Sequence, residues 1–319
     1  MNKKNILVFP AGAENAIEIY DALRFNVNVE VFGASGKKDC ARFLYDYDHY
    51  IEADLYINKI QFLDVLNEII SNYSIDVIIP THDDVALYLA EKRNYINCRI
   101  LVADYLTAKI CRHKRLTFEL FYDEDFCPHV YKTGTEVGEK SYPVFIKPNI
   151  SQGAVGARVI RTPEQLKTIN EDDVICEYLP GKEYTIDCFT NRHGELVFVG
   201  ARTRERIVMG IAFGSSSIET SEEITKIARI INSKLKFFGA WFFQLKESET
   251  GKLKLMEISC RQAGTMTLYR HMGVNFPLLG IFELYDIDTS YILLDGKWEV
   301  ERCLKSKFKN EIVFKLVYI

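Results

Sequence analysis

The chain has 319 residues, of which 48% are hydrophobic, 13% aromatic and 26% charged, a balance that supports a sizeable core and excludes a disordered tail. Forty Lys and Arg against 44 Asp and Glu leave a formal charge of -4, which removes the general attraction on which nucleic-acid binders rely. No apolar run approaches the ~20 residues of a membrane helix, and the opening MNKKNILVFPAGAEN has neither the apolar core nor the cleavage site of a secretory leader, so a cytoplasmic protein without membrane or nucleic-acid partners is expected. Eight scattered cysteines form no CxxC pair or zinc spacing, which points to reduced, mostly buried thiols rather than a disulfide framework or a structural metal.

Residues 5–10 (NILVFP) read as a buried strand, residues 14–24 carry Ile17, Tyr20 and Leu23 at helical spacing, and residues 27–32 (VNVEVF) read as a second strand. An apolar helix over 58–72 leads into a third strand at 76–80 (DVIIP). This alternation predicts a small doubly wound, Rossmann-like parallel sheet over residues 1–104. Gly12, Gly33 and Gly36 follow the first two strands, but neither AGAENA nor FGASGK contains GxGxxG, so ordinary turns account for them. His82, Asp83 and Asp84 stand at the carboxyl end of the third strand. They suit a ligand-collecting sheet end and a helix cap equally well. The periodic pattern stops near residue 105, and RHKRLTFELF (112–121) reads as a basic helix start running into an apolar face.

Three later segments carry chemistry. In YPVFIKPNISQGAVGARVI (142–160) a strand delivers Lys147 outward, a loop of small residues follows, and a second strand returns. Such a loop can lie over phosphates with its backbone N–H groups exposed, although an ordinary hairpin explains it too, and no P-loop pattern is present. In VICEYLPGKEYTIDCF (174–189) Glu177 and Glu183 flank a Pro-Gly turn, where they could accept hydrogen bonds from an amino group and hydroxyls or simply be solvated. In GAWFFQLKESETGKLKLMEISCRQAGT (239–265) two strands joined by a polar turn set Gln244 and Glu257 face to face, with Arg261 just beyond. Oxygen ligands on facing strands suit Mg²⁺, and an ordinary ion pair is the alternative.

In this order the three segments resemble the ATP-grasp superfamily over roughly residues 105–290, while residues 1–104 resemble the α/β domain that precedes it in those enzymes. The resemblance implies a mixed α/β and α+β architecture. Residues 1–104 would form the Rossmann-like domain, 105–188 a small lid subdomain with the phosphate loop, 189–290 the catalytic and metal subdomain, and 291–319 a C-terminal extension. By the same resemblance Lys114 and Lys147 match the two nucleotide-phosphate lysines, and the loop with Ser151, Gly153 and Gly156 matches the mobile phosphate cover. Glu177 and the Leu179 backbone would hold adenine and Glu183 the ribose. Gln244, Glu257 and Ser259 fall at the metal-ligand positions, and Arg261 matches the arginine that meets the transferred phosphoryl group.

Within the superfamily the likeness is to a single unit of the carbamoyl-phosphate synthase large subunit, and the length excludes the duplicated synthase. Two positions depart from the pattern. EISCR replaces the usual E-[IM]-N-P-R, so Ser259 stands for an asparagine ligand, and Phe242 occupies a place where a polar residue often faces the γ-phosphate. The implied activity is ATP-dependent ligation of a small carboxylate to an amine or a thiol through an acyl phosphate, with Mg²⁺ or Mn²⁺. An ATP-binding sensor or scaffold without turnover, and a kinase that stops at phosphoryl transfer, are the alternatives.

Residues 201–210 place Arg202, Arg204 and Arg206 at alternate positions of an expected strand, so all three would project to one face. Such a row suits an acceptor carboxylate or phosphate, with a solvated edge strand as the plain alternative. Residues 311–319 (EIVFKLVYI) read as a strand with an apolar end. Some similar proteins continue there into a phosphatase-like domain, so a truncated chain or a phosphatase-like partner is one expectation, and a homodimer another.

Overall fold

The computed structural model describes residues 3–208, 210–288 and 290–303. Strands β1 (Lys4–Phe9), β2 (Val29–Ser35), β3 (Tyr50–Glu52), β4 (Val77–Pro80) and β5 (Arg99–Ile100) form a parallel sheet in the order β3-β2-β1-β4-β5. Helices α1 (Glu14–Leu23), α2 (Phe62–Asn72) and α3 (Asp83–Glu91) connect them. Side chains of β1 alternate between two layers. Ile6 and Val8 join Ala16, Ile19 and Leu23 of α1, whereas Leu7 and Phe9 join Phe62 and Leu66 of α2. Burial on both faces explains why these strands read as unbroken apolar runs. The strand order reverses beside β1, which opens a crevice at the carboxyl ends of β1 and β4.

The basic helix expected over 112–121 is two helices, α4 (Tyr105–Arg112) and α5 (Lys114–Leu120). His113 separates them with an extended backbone, φ -105° and ψ 104°. The break leaves Arg112 at the end of one helix and Lys114 at the start of the next.

A four-stranded antiparallel sheet follows, β6 (Val130–Tyr131), β7 (Val144–Pro148), β8 (Arg158–Ile160) and β9 (Asp173–Glu177), in the order β6-β9-β7-β8, with the single turn α6 (Pro163–Leu166) after β8. The chain then builds a larger antiparallel sheet. It enters through β10 (Glu183–Thr190) and β11 (Leu196–Thr203), leaves for a small hairpin of β12 (Ile207–Val208) and β13 (Ile211–Ala212), and returns as β14 (Gly214–Ile218). Helix α7 (Glu222–Lys234) precedes β15 (Gly239–Glu247) and β16 (Leu253–Ser259). Helices α8 (Thr267–His271) and α9 (Phe276–Leu284) and the short β17 (Glu299–Glu301) complete the order β16-β15-β10-β11-β14-β17.

The period of two in this sheet decides where the cleft opens. Ile186 and Cys188 of β10 and Trp241, Phe243 and Leu245 of β15 face one way, toward Ile227 and Ile231 of α7. Phe189 and Phe242 face the other way, into a cluster with Leu268 and Phe276 from α8 and α9. Farther along that second face Thr185, Gln244 and Glu257 line a cleft instead of a core.

All eight cysteines are free, but only four are buried; Cys40 and Cys303 are exposed. Among the described residues no helix is long and apolar enough to cross a membrane. The strand expected over 311–319 lies outside the described residues.

Candidate active site

The floor of the cleft is the β15–β16 pair. Its antiparallel register sets Gln244 opposite Glu257 and Phe242 opposite Ser259, then steps between Gln244 and Leu245. Leu245 pairs with Leu255, so Met256 has no partner across the ladder, as in a β-bulge. Its freed carbonyl accepts a hydrogen bond of 2.7 Å from the Lys147 ammonium. Lys147 was expected to point outward, and it is buried instead, over the Phe118 ring at 4.6 Å. A spare carbonyl and an aromatic face replace the water it loses. Burial lowers its pKa, against the opposing pull of Cys176 and Glu257. Among the described residues, neither the Glu257 carboxylate nor the Gln244 amide hydrogen-bonds to another group of the chain.

The small-residue loop closes over this floor. Gly153 and Ala154 have φ of 61° and Gly156 has φ of 78°, left-handed values that favour glycine. The loop is tied down at Ser151 from both sides of the His113 break. The Lys114 ammonium donates to Ser151 Oγ at 3.0 Å, and Arg112 Nη1 donates to the Ser151 carbonyl at 2.9 Å. Burial pushes the Lys114 ammonium down to about 8, with Glu257 opposing and Lys147 and Arg112 assisting. Ser151 and Gly153 line the cleft, whereas Gly156 packs on Pro148 outside it. Gly210 of the small hairpin presses on Gly153 so closely that a Cβ there would stand 2.5 Å from the Gly153 carbonyl carbon.

The third wall comes from the parallel sheet. His82 caps α3, its Nδ1 accepting from the Asp84 N–H at 3.3 Å, and the acids of the first turn reach across the cleft. Asp84 takes Arg112 through two bonds of 2.5 and 2.9 Å. Asp83 accepts from Arg261 Nε and Nη2 at 3.1 and 3.0 Å and from the Ser259 hydroxyl at 2.6 Å. Burial works to raise the Asp83 pKa, but Arg261, Ser259 and Arg112 outweigh it and hold the carboxyl below its usual range. Reciprocally, burial works to lower Arg261, and Asp83 more than compensates. Behind this wall the Asn15 amide bridges two carbonyls, those of Thr81 at 2.9 Å and Gln262 at 3.1 Å. The helix-cap reading of His82, Asp83 and Asp84 holds, and the two acids do more besides, binding Arg261 and Arg112 from later segments.

The remaining candidates separate into two groups. Glu177 and Leu179 border a narrow second cavity of about 30 Å³ together with Lys147, and the Glu177 carboxylate accepts from the His129 N–H at 2.9 Å. Glu183 lies outside both cavities' linings and pairs with Arg204 at 2.7 Å and Lys246 at 3.8 Å. The row of three arginines on one strand face does not form. β11 ends at Thr203, because Arg204 and Arg206 already belong to the turn into the small hairpin. Arg202 is buried in a two-bond pair with Asp187, and exposed Arg206 pairs with Glu301. Arg202 and Arg204 still border the main cleft, and Arg206 does not.

The main cleft has a volume of about 390 Å³ and gathers Lys114, Ser151, Gln244, Glu257, Ser259 and Arg261. The sequence leaves Asp83 and Asp84 open between a ligand-collecting sheet end and a helix cap, and it gives Arg112 no place in the cleft; Asp83 and Arg112 line it, and Asp84 holds Arg112 from behind. The motifs RHKR and THDD hold them, but nothing local announces that they meet. Cationic and anionic groups alternate around an open carboxylate and amide, an arrangement suited to phosphates and a hard divalent cation.

A sequence profile described as "ATP-grasp in the biosynthetic pathway with Ter operon" matches residues 170–295. The fold matches the biotin carboxylase domain of the 2-oxoglutarate carboxylase of Hydrogenobacter thermophilus, a domain dimer solved with MgADP and bicarbonate, with a TM-score of 0.77 over 94% of this chain and 74% of that one. The chain has the ATP-grasp fold. Sequence identity to that domain is only 13%. N5-carboxyaminoimidazole synthetase from Staphylococcus aureus with ADP matches with a TM-score of 0.73 at 16% identity, over 92% of this chain and 81% of that one. The L-amino acid ligase of Bacillus licheniformis matches with a TM-score of 0.65 at 16% identity, over 89% and 75%. No curated protein matches the sequence.

Proposed function

We propose that the protein is an ATP-dependent ligase that joins a small-molecule carboxylate to an amine through an acyl phosphate. The observation that carries this reading is the open pair on the floor. Glu257 and Gln244 face each other in register, uncommitted to any group of the chain, between Lys114, Ser151 and Arg261. That donor set fits Mg²⁺, which takes one or two protein oxygens and completes its shell with phosphates and water. Held there by Glu257 and Gln244, Mg²⁺ would supply neutralisation of the charge that builds up on the phosphates of ATP. ATP-grasp relatives of known structure bind ADP or MgADP.

In the reaction, a carboxylate oxygen of the substrate bonds to the γ-phosphorus while the bond to ADP breaks. The amine nitrogen then attacks the acyl carbon, loses a proton and expels phosphate. No side chain becomes covalently attached, so the protein contributes position and charge. Lys114 and Lys147 bind the nucleotide phosphates, and the loop from Ser151 excludes water. Arg261 meets the transferred phosphoryl group. Glu177 and Leu179 bound the base end, with Lys147 on the wall of the same cavity. The Arg202 pair with Asp187 and the Glu183 pair with Arg204 argue that neither arginine is spare for an acceptor carboxylate.

A binding protein without turnover is the second reading, favoured by Ser259 being engaged with Asp83 and by Phe242 standing 5.5 Å below the Arg261 guanidinium. ADP release measured with mixtures of carboxylates and amines separates the two. The ligase releases ADP only when both partners are present, and Glu257→Gln lowers the rate by about 10²-fold or more. ATP binding with no ADP release in any mixture would favour the second reading. Full activity in Glu257→Gln would refute the metal assignment.

A further inference from the structure

Arg261 stands just beyond β16, yet its guanidinium is held by a carboxylate 178 residues earlier in the chain. Asp83 is the first residue of α3, and its support is stiff. The Thr81 hydroxyl donates to the Pro10 carbonyl at 2.7 Å, and the Thr81 carbonyl accepts from the Asn15 amide. One carboxylate therefore touches three parts of the cleft: Arg261, the Ser259 hydroxyl at the end of β16, and the Gln152 amide of the covering loop at 3.5 Å.

The donors of Arg261 can be counted. A guanidinium has five N–H groups in a fixed plane. Asp83 accepts from Nε and from Nη2, and the Gln262 carbonyl accepts from Nη1 at 3.1 Å. Two N–H groups remain, the number that a two-point grip on a phosphate requires. The Phe242 ring lies against the guanidinium and offers it no competing acceptor. A planar group anchored along one edge presents its other donors in a set direction. Without the anchor the side chain would regain its rotamer freedom and lose that direction.

We propose that Asp83 is a positioning residue that aims Arg261 at the terminal phosphate of a bound nucleoside triphosphate. The parallel-sheet end of the chain thereby takes part in reading the γ-phosphate, although it is remote in sequence from the strands that carry the site. The inference rests on the proposed nucleotide site. It goes beyond that site because it makes discrimination between triphosphate and diphosphate depend on a residue that touches neither.

The test is a double-mutant cycle on nucleotide binding, which needs no knowledge of the ligase substrates. Dissociation constants for ATP and ADP with Mg²⁺ are measured by calorimetry in the parent, Asp83→Asn, Arg261→Ala and the double variant. We expect Asp83→Asn to lower the preference for ATP over ADP at least fivefold and Arg261→Ala to lower it at least as much. The double variant should match Arg261→Ala, because Asp83 acts only through that arginine. Glu91→Gln, at the exposed far end of the same helix, is the control for loss of an acid from α3, and it should leave the preference within twofold. An unchanged preference in Asp83→Asn, or effects that add in the double variant, overturns the positioning role. Should Asp83→Asn fail to fold by circular dichroism, Asp83→Glu keeps the charge and displaces the anchor by one methylene. The same fivefold loss is expected there, and its absence is equally fatal. A parent that binds neither nucleotide would overturn the proposed function itself, whereas one that binds both with a preference independent of Asp83 overturns this inference alone.

Discussion

Replacing Arg202 with methionine tests whether this arginine holds the sheet together or waits for a substrate. Its guanidinium and the Asp187 carboxylate are 1% and 0% exposed and share bonds of 2.6 and 3.2 Å. Removing one member of such a pair leaves an uncompensated buried charge, which costs about 3 to 5 kcal/mol at neutral pH. Burial already raises the Asp187 pKa while Arg202 opposes that rise. In Arg202→Met the opposition is gone, so the carboxyl climbs further and the folded state binds a proton that the unfolded state has released. Stability of the variant therefore falls as pH rises from the unfolded carboxyl value through the raised one, and the deficit shrinks toward pH 4. Urea unfolding followed by the fluorescence of Trp241, buried in the neighbouring strand and stacked on Phe237 at 3.9 Å, reads the loss. The paired change Asp187→Leu with Arg202→Met should recover most of it, since an apolar pair of similar volume is often as stable as the ion pair. A loss below about 1 kcal/mol, or a double variant no better than the single one, would refute the argument from desolvation.

Two further outcomes follow from the loop. ATP affinity should fall as pH rises through about 8, where Lys114 loses its proton, because a charge-assisted hydrogen bond to phosphate is worth about 1.5 to 3 kcal/mol; calorimetry across pH 7 to 9 should show the slope in the parent and a flat profile in Lys114→Arg, and equal slopes would dissociate the lysine from binding. Gly210→Ala places a Cβ 2.5 Å from Gly153 at a φ of 77°, a strain of about 1 to 2 kcal/mol. Amide exchange over residues 151–156 should accelerate in that variant, and an unchanged rate would show that the hairpin does not hold the loop.

Much of this architecture is legible in the sequence for a physical reason. Strands buried on both faces must be apolar at every position, so β1 and β4 announce themselves, whereas β3 and β5, with three and two residues, carry too little pattern. The facing of Gln244 and Glu257 follows from a hairpin with a short polar turn, which alternation alone is enough to draw. The inward Lys147 was illegible because it depends on the bulge at Met256, a feature of pairing between strands rather than of either strand. The three arginines misled because alternation was taken to continue past Thr203. Their partners Asp187, Glu183 and Glu301 lie 15, 21 and 95 residues away, respectively. Asp83 and Asp84 are the same problem in a sharper form, since local sequence cannot distinguish an acid that caps a helix from one that reaches an arginine 178 residues later.

The double bridge made by Asn15 bears on how such a protein can be inherited. One amide in α1 joins the carbonyl after β4 to the carbonyl after Arg261, and main-chain carbonyls are present whatever residues occupy those positions. At this bridge the seam between the parallel sheet and the larger antiparallel sheet is therefore indifferent to side chains on its accepting side and demanding on its donating side. Over evolutionary time residue 262 can drift, provided that the backbone keeps its course, whereas residue 81 stays tied by its own hydroxyl to the Pro10 carbonyl. A chimaera that imports a foreign parallel sheet has a stricter requirement: it must bring an amide at position 15 and acids at 83 and 84, or the two halves will meet as neighbours without forming one site.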